Sequence, residues 1–352
     1  MDYNKGYSTR LSAAIKWLRF PLIFFIILLH CYSVVRMEGT GATYFCTLYP
    51  FSLWLGETDV PGFFFISGYL FFLSKKSYGQ KLKTRVNTLL IPYLLWNAAL
   101  LTLYLIAYAA DYPQDINHKN IAEFGLIDYI RLFWDRGDFS NGNFVPLLCP
   151  FWYIRNLLIM SILSPLLYFI IWNVREIFLL MVTAWWLATY HNAFIPQTIL
   201  FFSLGAYFSI LGINPLEIAV KKCKWVIAIT LLTAIADIGS HSAFSTSIGL
   251  QFHRLALIMN IPALLLLADW CLQRGIHHQL FPNAAFIVFA VHYPIVVALR
   301  KLCAAKFASA SDVTHIFLYY ACIIIATALS LFFYILLEKY FPKLKNILSG
   351  NR

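Results

Sequence analysis

Charge is what this 352-residue chain lacks most: Asp, Glu, Lys and Arg make up 12% of it, against 61% hydrophobic and 18% aromatic residues. Mean hydropathy is +0.70. A soluble globular domain is about 25% charged, so this chain has no polar coat for a water-facing surface and reads as a polytopic membrane protein. Acidic residues are scarcer than basic ones, 16 against 27, for a net charge of +11. The excess lies in short clusters between apolar runs and not on one polar surface, which marks topology and excludes nucleic acid as a partner. Metal-type cysteine spacing is absent as well. The seven cysteines (Cys31, Cys46, Cys149, Cys223, Cys271, Cys303 and Cys322) form no C-x-x-C and no His-spaced pair, so they read as buried thiols and no metal is expected. Cys46 and Cys149 are the pair able to share the outer side. The first apolar run is longer than a signal-peptide core and lacks an A-x-A-like cleavage site, so it reads as a retained helix. No internal repeat or low-complexity segment is visible, and an inverted-repeat transporter architecture gains no support.

Long apolar runs fall near residues 17–35, 50–74, 88–110, 146–172, 176–190, 195–212, 225–239, 249–272, 284–305 and 313–338. At roughly 20 residues per crossing, these predict an all-α protein of about ten transmembrane helices in a single membrane domain over 1–352. Pro61-Gly62 interrupts the second. The N-terminal segment, the joint at 75–85, the joint at 221–224 and the tail at about 339–352 are basic, whereas the joint at about 111–145 is acidic. Under the positive-inside rule both termini are cytoplasmic and 111–145 is the long outer loop. Within it NGN (Asn141 to Asn143) and Gly137-Asp138 signal turns, and IAEFGLIDYIRLFWD reads as an amphipathic helix at the outer interface.

Several polar residues sit within these runs. In RFPLIFFIILLH, Arg19 and His30 are eleven residues apart, which on a helix is about 16 Å of rise and three turns, so both project from nearly the same face. Arg19 alone suits an interface anchor. His30 lies deeper, where an ionisable group normally faces protein or a water-filled cavity, although a satisfied packing role is the plainer reading. In VPGFFFISGYLFF, Ser67 and Gly68 interrupt an aromatic helix; small residues permit close helix contact, and a mid-helix serine commonly bonds back to its own backbone. Lys81, Lys83 and Arg85 precede a helix carrying Pro92, and such clustered cations suit lipid headgroups or the phosphates of a nucleotide-bearing ligand alike. FWYIRNLL embeds Arg155 and Asn156 after Trp152 and Tyr153, which also suits an interface belt. FAVHYPIVV places His292 two residues before Pro294. His253, Arg254 and Asp237 are further polar residues at membrane depth, with an Asp237–Arg254 charge pair conceivable.

Taken in order, these stretches resemble acyltransferase family 3, the integral-membrane acyltransferases that modify bacterial glycans. The family's first helix carries Arg or Lys, ten residues, then His, as Arg19 and His30 do. Its FFxxSGF-like motif is matched by Phe64-Phe65-Ile66-Ser67-Gly68, with Tyr69 replacing the last Phe. Arg85 and Pro92, Trp152-Tyr153-Ile154, and His292 with Pro294 follow in family order. Two features depart from the pattern: the second joint of many members has two arginines separated by two residues, whereas Thr88 stands three after Arg85, and no esterase-like domain follows the tenth run.

The resemblance implies an inner-membrane, multi-pass O-acyltransferase that takes an acyl group, with acetyl the first expectation, from cytoplasmic acyl-CoA to a hydroxyl of a cell-surface or lipid-linked glycan. On that reading Arg19, Lys81, Lys83 and Arg85 hold the donor's phosphates. His30 acts as general base on the acceptor hydroxyl, or alternatively carries the acyl group, and Ser67, Trp152, Tyr153, Arg155 and His292 line the site. Membrane lipid and the glycan acceptor are the expected partners, joined by further copies of the chain or a separate periplasmic transfer protein. The alternative is a transporter or flippase for a glycan or lipid-linked sugar, in which the same residues line a path without covalent chemistry.

Overall fold

The computed structural model describes residues 5–32, 48–112, 115–116, 119–137, 143–189, 193–243, 246–276, 280–307 and 309–351, with the side chains of 5–8, 241–246 and 280–282 outside the description. The fold is almost wholly helical. Among the described residues six helices are long and apolar enough to cross a membrane: Thr9–Cys31, Tyr78–Ala109, Cys223–Ser240, Ser247–Gln273, Asn283–Phe307 and Asp312–Tyr340. Two bent pairs, Cys149–Ile162 with Ser164–Val174 at 68° and Phe194–Ile210 with Pro215–Lys221 at 90°, make eight if each is one span. Large apolar side chains such as Leu103, Leu166, Leu232 and Ile324 stay exposed along these helices, as lipid-facing surfaces require. The chain packs as two units, Met1–Leu73 with Phe201–Phe332, and Ser74–Leu200 with Phe333–Arg352.

In the first unit, α1 (Lys5–Cys31) is continuous through its internal Pro21. The next run begins with a π-helical segment, Tyr49–Leu55, tightens to a 3-10 turn, Gly56–Thr58, and becomes α2 (Asp59–Leu73). The irregularity expected at Pro61-Gly62 therefore lies earlier in the chain. Pro61 falls in the first turn of α2, where a helix needs no N–H donor and the ring fits.

The second unit begins with α3 (Tyr78–Arg85), whose N-terminus is closed by a capping box between Ser77 and Gln80. A π turn, Val86–Leu90, carries it into α4 (Ile91–Ala109). The basic joint is thus itself helical, because the Ser77 cap supplies a start signal and Lys81, Lys83 and Arg85 are good helix formers. Beyond α4, β1 (Asp115–Ile116) and β2 (Lys119–Asn120) form a two-residue antiparallel ladder. A 3-10 turn, Ile121–Glu123, and α5 (Leu126–Arg131) follow. The amphipathic segment is divided: Ile121 and Leu132 bury with Ile116 and Leu147 against Leu100, Leu101 and Tyr104 of α4, while Leu126, Ile127 and Ile130 are exposed. Of the expected turn residues, Asn141 and Asp138 lie outside the described residues.

The second unit continues with a 3-10 turn, Cys149–Phe151, then α6 (Trp152–Ile162), α7 (Ser164–Val174) and α8 (Glu176–Ala188). Next come α9 (Phe194–Ile210), which carries the chain into the first unit, and α10 (Pro215–Lys221), α11 (Cys223–Ala243), α12 (Thr246–Gln273) and α13 (Leu280–Phe307). Then α14 (Asp312–Tyr340) returns it to the second, where α15 (Pro342–Ser349) closes the chain. Cys31, Cys149, Cys271 and Cys322 are buried, but Cys223 is exposed at the start of α11. Cys46 lies outside the described residues.

The small residue of the aromatic motif sets the approach of α2 to α9. A Cβ added at Gly68 would run into the backbone carbonyl of Phe202, and one added at Gly205 into that of Phe65, so each glycine admits the other helix's backbone. The contact is reciprocal, and no side-chain rotation relieves it. Gly68→Ala is expected to lower thermal stability in detergent by about 1–3 kcal/mol. Gly79→Ala, at a site with nothing within 4 Å of a new Cβ, is the matched control in the same melting assay.

Asp128 ties β2 to the start of α5. Its carboxylate accepts from Lys119 Nζ at 2.7 Å and from the Gly125 N–H at 2.9 Å, and these bonds hold its pKa below the ordinary aspartate value, the Lys119 contact being the larger cause. A lowered folded pKa contributes stability that is present above the unfolded pKa and is lost as pH falls through the folded one. Amide exchange over 115–131 is therefore expected to speed up on acidification below the usual carboxylate range, beyond the intrinsic pH effect, and Asp128→Asn should remove that dependence.

Candidate active site

Within the first unit α1 and α13 bring two histidines together. The His30 ring lies 5.4 Å from the His292 ring, centroid to centroid, and 5.0 Å from that of Tyr293, edge to face. His292 is fully buried. Its Nδ1 lies 3.2 Å from the Val288 carbonyl one turn back; a carbonyl only accepts, so this bond assigns the ring proton to Nδ1. Nε2 is left with its lone pair, buried and without a hydrogen-bond partner among the described residues. Leaving such an acceptor unsatisfied costs roughly 1–3 kcal/mol. The site therefore offers an acceptor to any hydroxyl or N–H that arrives beside His30.

Arg19 shares the unbroken α1 with His30, three turns nearer its start, and is exposed. Ser67 is half-buried on α2, one residue before the glycine crossing. Four of the expected residues, His30, His292, Arg19 and Ser67, thus belong to this unit, and the first two are in ring contact.

A second polar group in this unit is larger than the charge pair considered from sequence. His253 on α12 places Nδ1 2.8 Å from Asp237 Oδ2 on α11 and Nε2 3.0 Å from Glu57 Oε2. The Tyr49 hydroxyl donates to Asp237 Oδ1 at 3.0 Å. Arg254 is fully buried and feels the charge of Glu57. Both ring nitrogens of His253 are committed to carboxylates, so it has none with which to take a proton from a substrate. Glu57 was not singled out from the sequence, yet an acidic residue inside the apolar run 50–74 was a sufficient signal.

The remaining expected residues belong to the second unit. Lys83 is exposed, while Lys81 and Arg85 are half-buried on α3, with Tyr153 close enough to Arg85 to act on its charge. The Trp152 indole is stacked on Phe194 at 3.8 Å and 7°, so one of its faces is covered by protein. Arg155 ties down the loop between α5 and α6. Its guanidinium donates to the Trp134 carbonyl at 2.6 Å and to the Phe144 carbonyl at 2.9 Å, and also binds Asn156 Oδ1. It sits over the Trp134 ring at 4.8 Å. A lining role for Arg155 would act through that loop, because these donors are spent on its backbone.

The acyltransferase domain profile matches residues 12–336 of the chain. The succinoglycan biosynthesis protein ExoH of Rhizobium meliloti is 25% identical over 322 residues, which cover 85% of this chain and 82% of that one. No solved structure matches the chain. A match over nearly the whole length displaces the carrier reading and agrees with the motif order running from Arg19 to Pro294. The chain belongs to the acyltransferase domain family, acyltransferase family 3, and is a multi-pass membrane acyltransferase.

Proposed function

We propose that this acyltransferase moves an acyl group, acetyl in the first instance, from cytoplasmic acyl-CoA to a hydroxyl of a cell-surface or lipid-linked glycan, with His30 as general base. The observation that carries the reading is the His30–His292 pair, in which a buried imidazole with an open lone pair stands beside the histidine of the first helix. The glycan class is supported by the printed name of the succinoglycan biosynthesis relative. The basic clusters favour cytoplasmic termini in the inner membrane.

The acceptor hydroxyl gives its proton to His30 as its oxygen attacks the thioester carbonyl. The carbon–sulfur bond then breaks, and His30 returns the proton to the departing thiolate, so no net proton is consumed. His292 Nε2 accepts a hydrogen bond from the protonated His30 or from the incoming hydroxyl, holding the proton where it is needed. Arg19, on the same helix, supplies a cation for a donor phosphate. In the other unit Lys81, Lys83 and Arg85, considered separately, form a helical set of cations with the same preference. Ser67 on α2, and Trp152 and Tyr153 on α6, are assigned to substrate lining.

His30→Ala is expected to lower acyl transfer about 100-fold or more while the protein accumulates normally in membranes. The measurement is mass spectrometry of surface and lipid-linked glycans for the loss of one acyl mass, and wild-type acylation in this variant would sink the reading. His292→Phe keeps the ring and removes the lone pair; it is expected to lower turnover by about ten-fold or more, with thermal stability in detergent unchanged or raised. Release of free thiol from acyl-CoA by purified protein, dependent on His30, separates this enzyme from a glycan carrier, which would translocate acceptor with no need of CoA.

A further inference from the structure

The last turn of α1, which carries His30, is gripped by groups that the acyl-transfer reading does not use. A helix carbonyl carries a second lone pair beyond the one its own ladder uses, and the Leu28 carbonyl, two residues before His30, is reached by groups from outside α1. Ser52, fully buried on the π-helical segment, donates its hydroxyl to it at 2.8 Å. The Tyr319 hydroxyl of α14, also fully buried, stands 3.4 Å from the same oxygen and in direct contact with Ser52 Oγ. Since the Ser52 proton is given to Leu28, Tyr319 donates to Ser52, and the two hydroxyls form a chain ending on the helix that bears His30.

The segment supplying Ser52 is itself fixed at both ends. Tyr49 is bound to Asp237, Glu57 to His253, and Asn260 donates to the Thr58 hydroxyl at 2.7 Å. Between these anchors Gly56 lies so close to α1 that an added Cβ would sit 3.2 Å from Leu29 Cβ and 3.3 Å from its Cα and N. From the other side Cys322, one turn beyond Tyr319, places its Sγ 3.5 Å from that of Cys31. The residues on both sides of His30 are therefore held, Leu29 by backbone packing and Cys31 by a thiol contact, while the hydroxyl pair fixes the carbonyl two residues before it.

We propose that Ser52 and Tyr319 are positioning residues for His30: their hydroxyls cap the Leu28 carbonyl and, with the charged groups that anchor the π-helical segment, set the orientation of the imidazole towards its substrate. The proposal rests on the reading of His30 as base for its catalytic consequence, but not for its structural one. Neither hydroxyl touches substrate in this scheme. Their removal alters how often His30 is in the reactive orientation, a misplacement that costs turnover and leaves donor binding in place.

The test uses the full-length protein in nanodiscs, with Ser52→Ala, Tyr319→Phe, the double variant, and Ser330→Ala as the control for losing a buried hydroxyl on α14. The double variant is expected to lower kcat about ten-fold or more, with KM for acetyl-CoA within about two-fold of wild type. Independently of activity, carbethoxylation of His30 by diethyl pyrocarbonate, followed by peptide mass spectrometry, is expected to change rate by about three-fold or more in that variant and to stay unchanged in Ser330→Ala. An unchanged His30 modification rate in a folded double variant overturns the proposal. So does a fall in kcat that Ser330→Ala reproduces in full. Should the double variant fail to fold, Tyr319→Phe alone, which leaves Ser52 on Leu28, decides through the same two readouts. Normal transfer by His30→Ala would sink the base reading only, because the modification rate would still report whether the hydroxyls orient the ring.

Discussion

An imidazole inside an apolar layer keeps one orientation only if its helix is held from outside, and His30 lies in the last described turn of α1. Much of the first unit can be read as the answer to that demand. The chain returns beside α1 in a widened π-helical turn that places Ser52 opposite Leu28; a regular α-helix there would present a different register of side chains. Holding an irregular turn in place takes interactions stronger than apolar packing. Tyr49, Glu57 and Thr58 supply them by reaching Asp237, His253 and Asn260. Ion pairs of this kind add little net stability once desolvation is counted. What they contribute is a fixed geometry for the segment that packs against the end of α1.

The second unit meets the same constraint differently. Its irregular stretch lies between α4 and α6, and backbone groups there are taken up by side chains from α4, from α6 and from the stretch itself. Asn97 receives the Leu148 N–H at 2.9 Å, Asp135 receives the Gly137 and Val145 N–H groups, and Arg155 takes the carbonyls of Trp134 and Phe144. Asn97 and Arg155, polar residues inside the apolar runs of this unit, thus bond the loop, whereas Ser161 and Asn173 bond back to their own helices. Membrane-depth polarity is commonly read as a mark of function, but for Asn97 and Arg155 the geometry assigns it to closing the loop.

This difference explains what the sequence made legible. Hydropathy located helices because lipid demands long apolar runs, and each apolar run named from sequence contains helix among its described residues. Motif order located His30 and His292, since sequence spacing preserves what one helix presents. Ser52, Tyr319, Tyr49 and the Glu57–His253 contact were not legible in the same way. They are pairings between helices far apart in sequence, and a hydroxyl in an apolar run looks the same whether it bonds its own helix or caps another. From sequence Lys81, Lys83 and Arg85 precede a helix, whereas a capping box, Ser77 with Gln80, starts helix before them and places all three within it.

The buried histidines of the first unit show why position in an apolar run does not by itself assign chemistry. His253 and His292 are both inaccessible, and both lie within long apolar helices. His253 is held between two carboxylates, with no nitrogen left to accept a proton. His292 spends one nitrogen on its own helix and keeps the other open. A saturated imidazole serves as a fixed charge that orders its neighbours, whereas one with a lone pair to spare can share a proton with a second ring 5.4 Å away. Among the described residues His292 thus keeps an acceptor open in ring contact with His30, whereas the saturated His253 belongs to the polar group that holds Glu57 and Asp237.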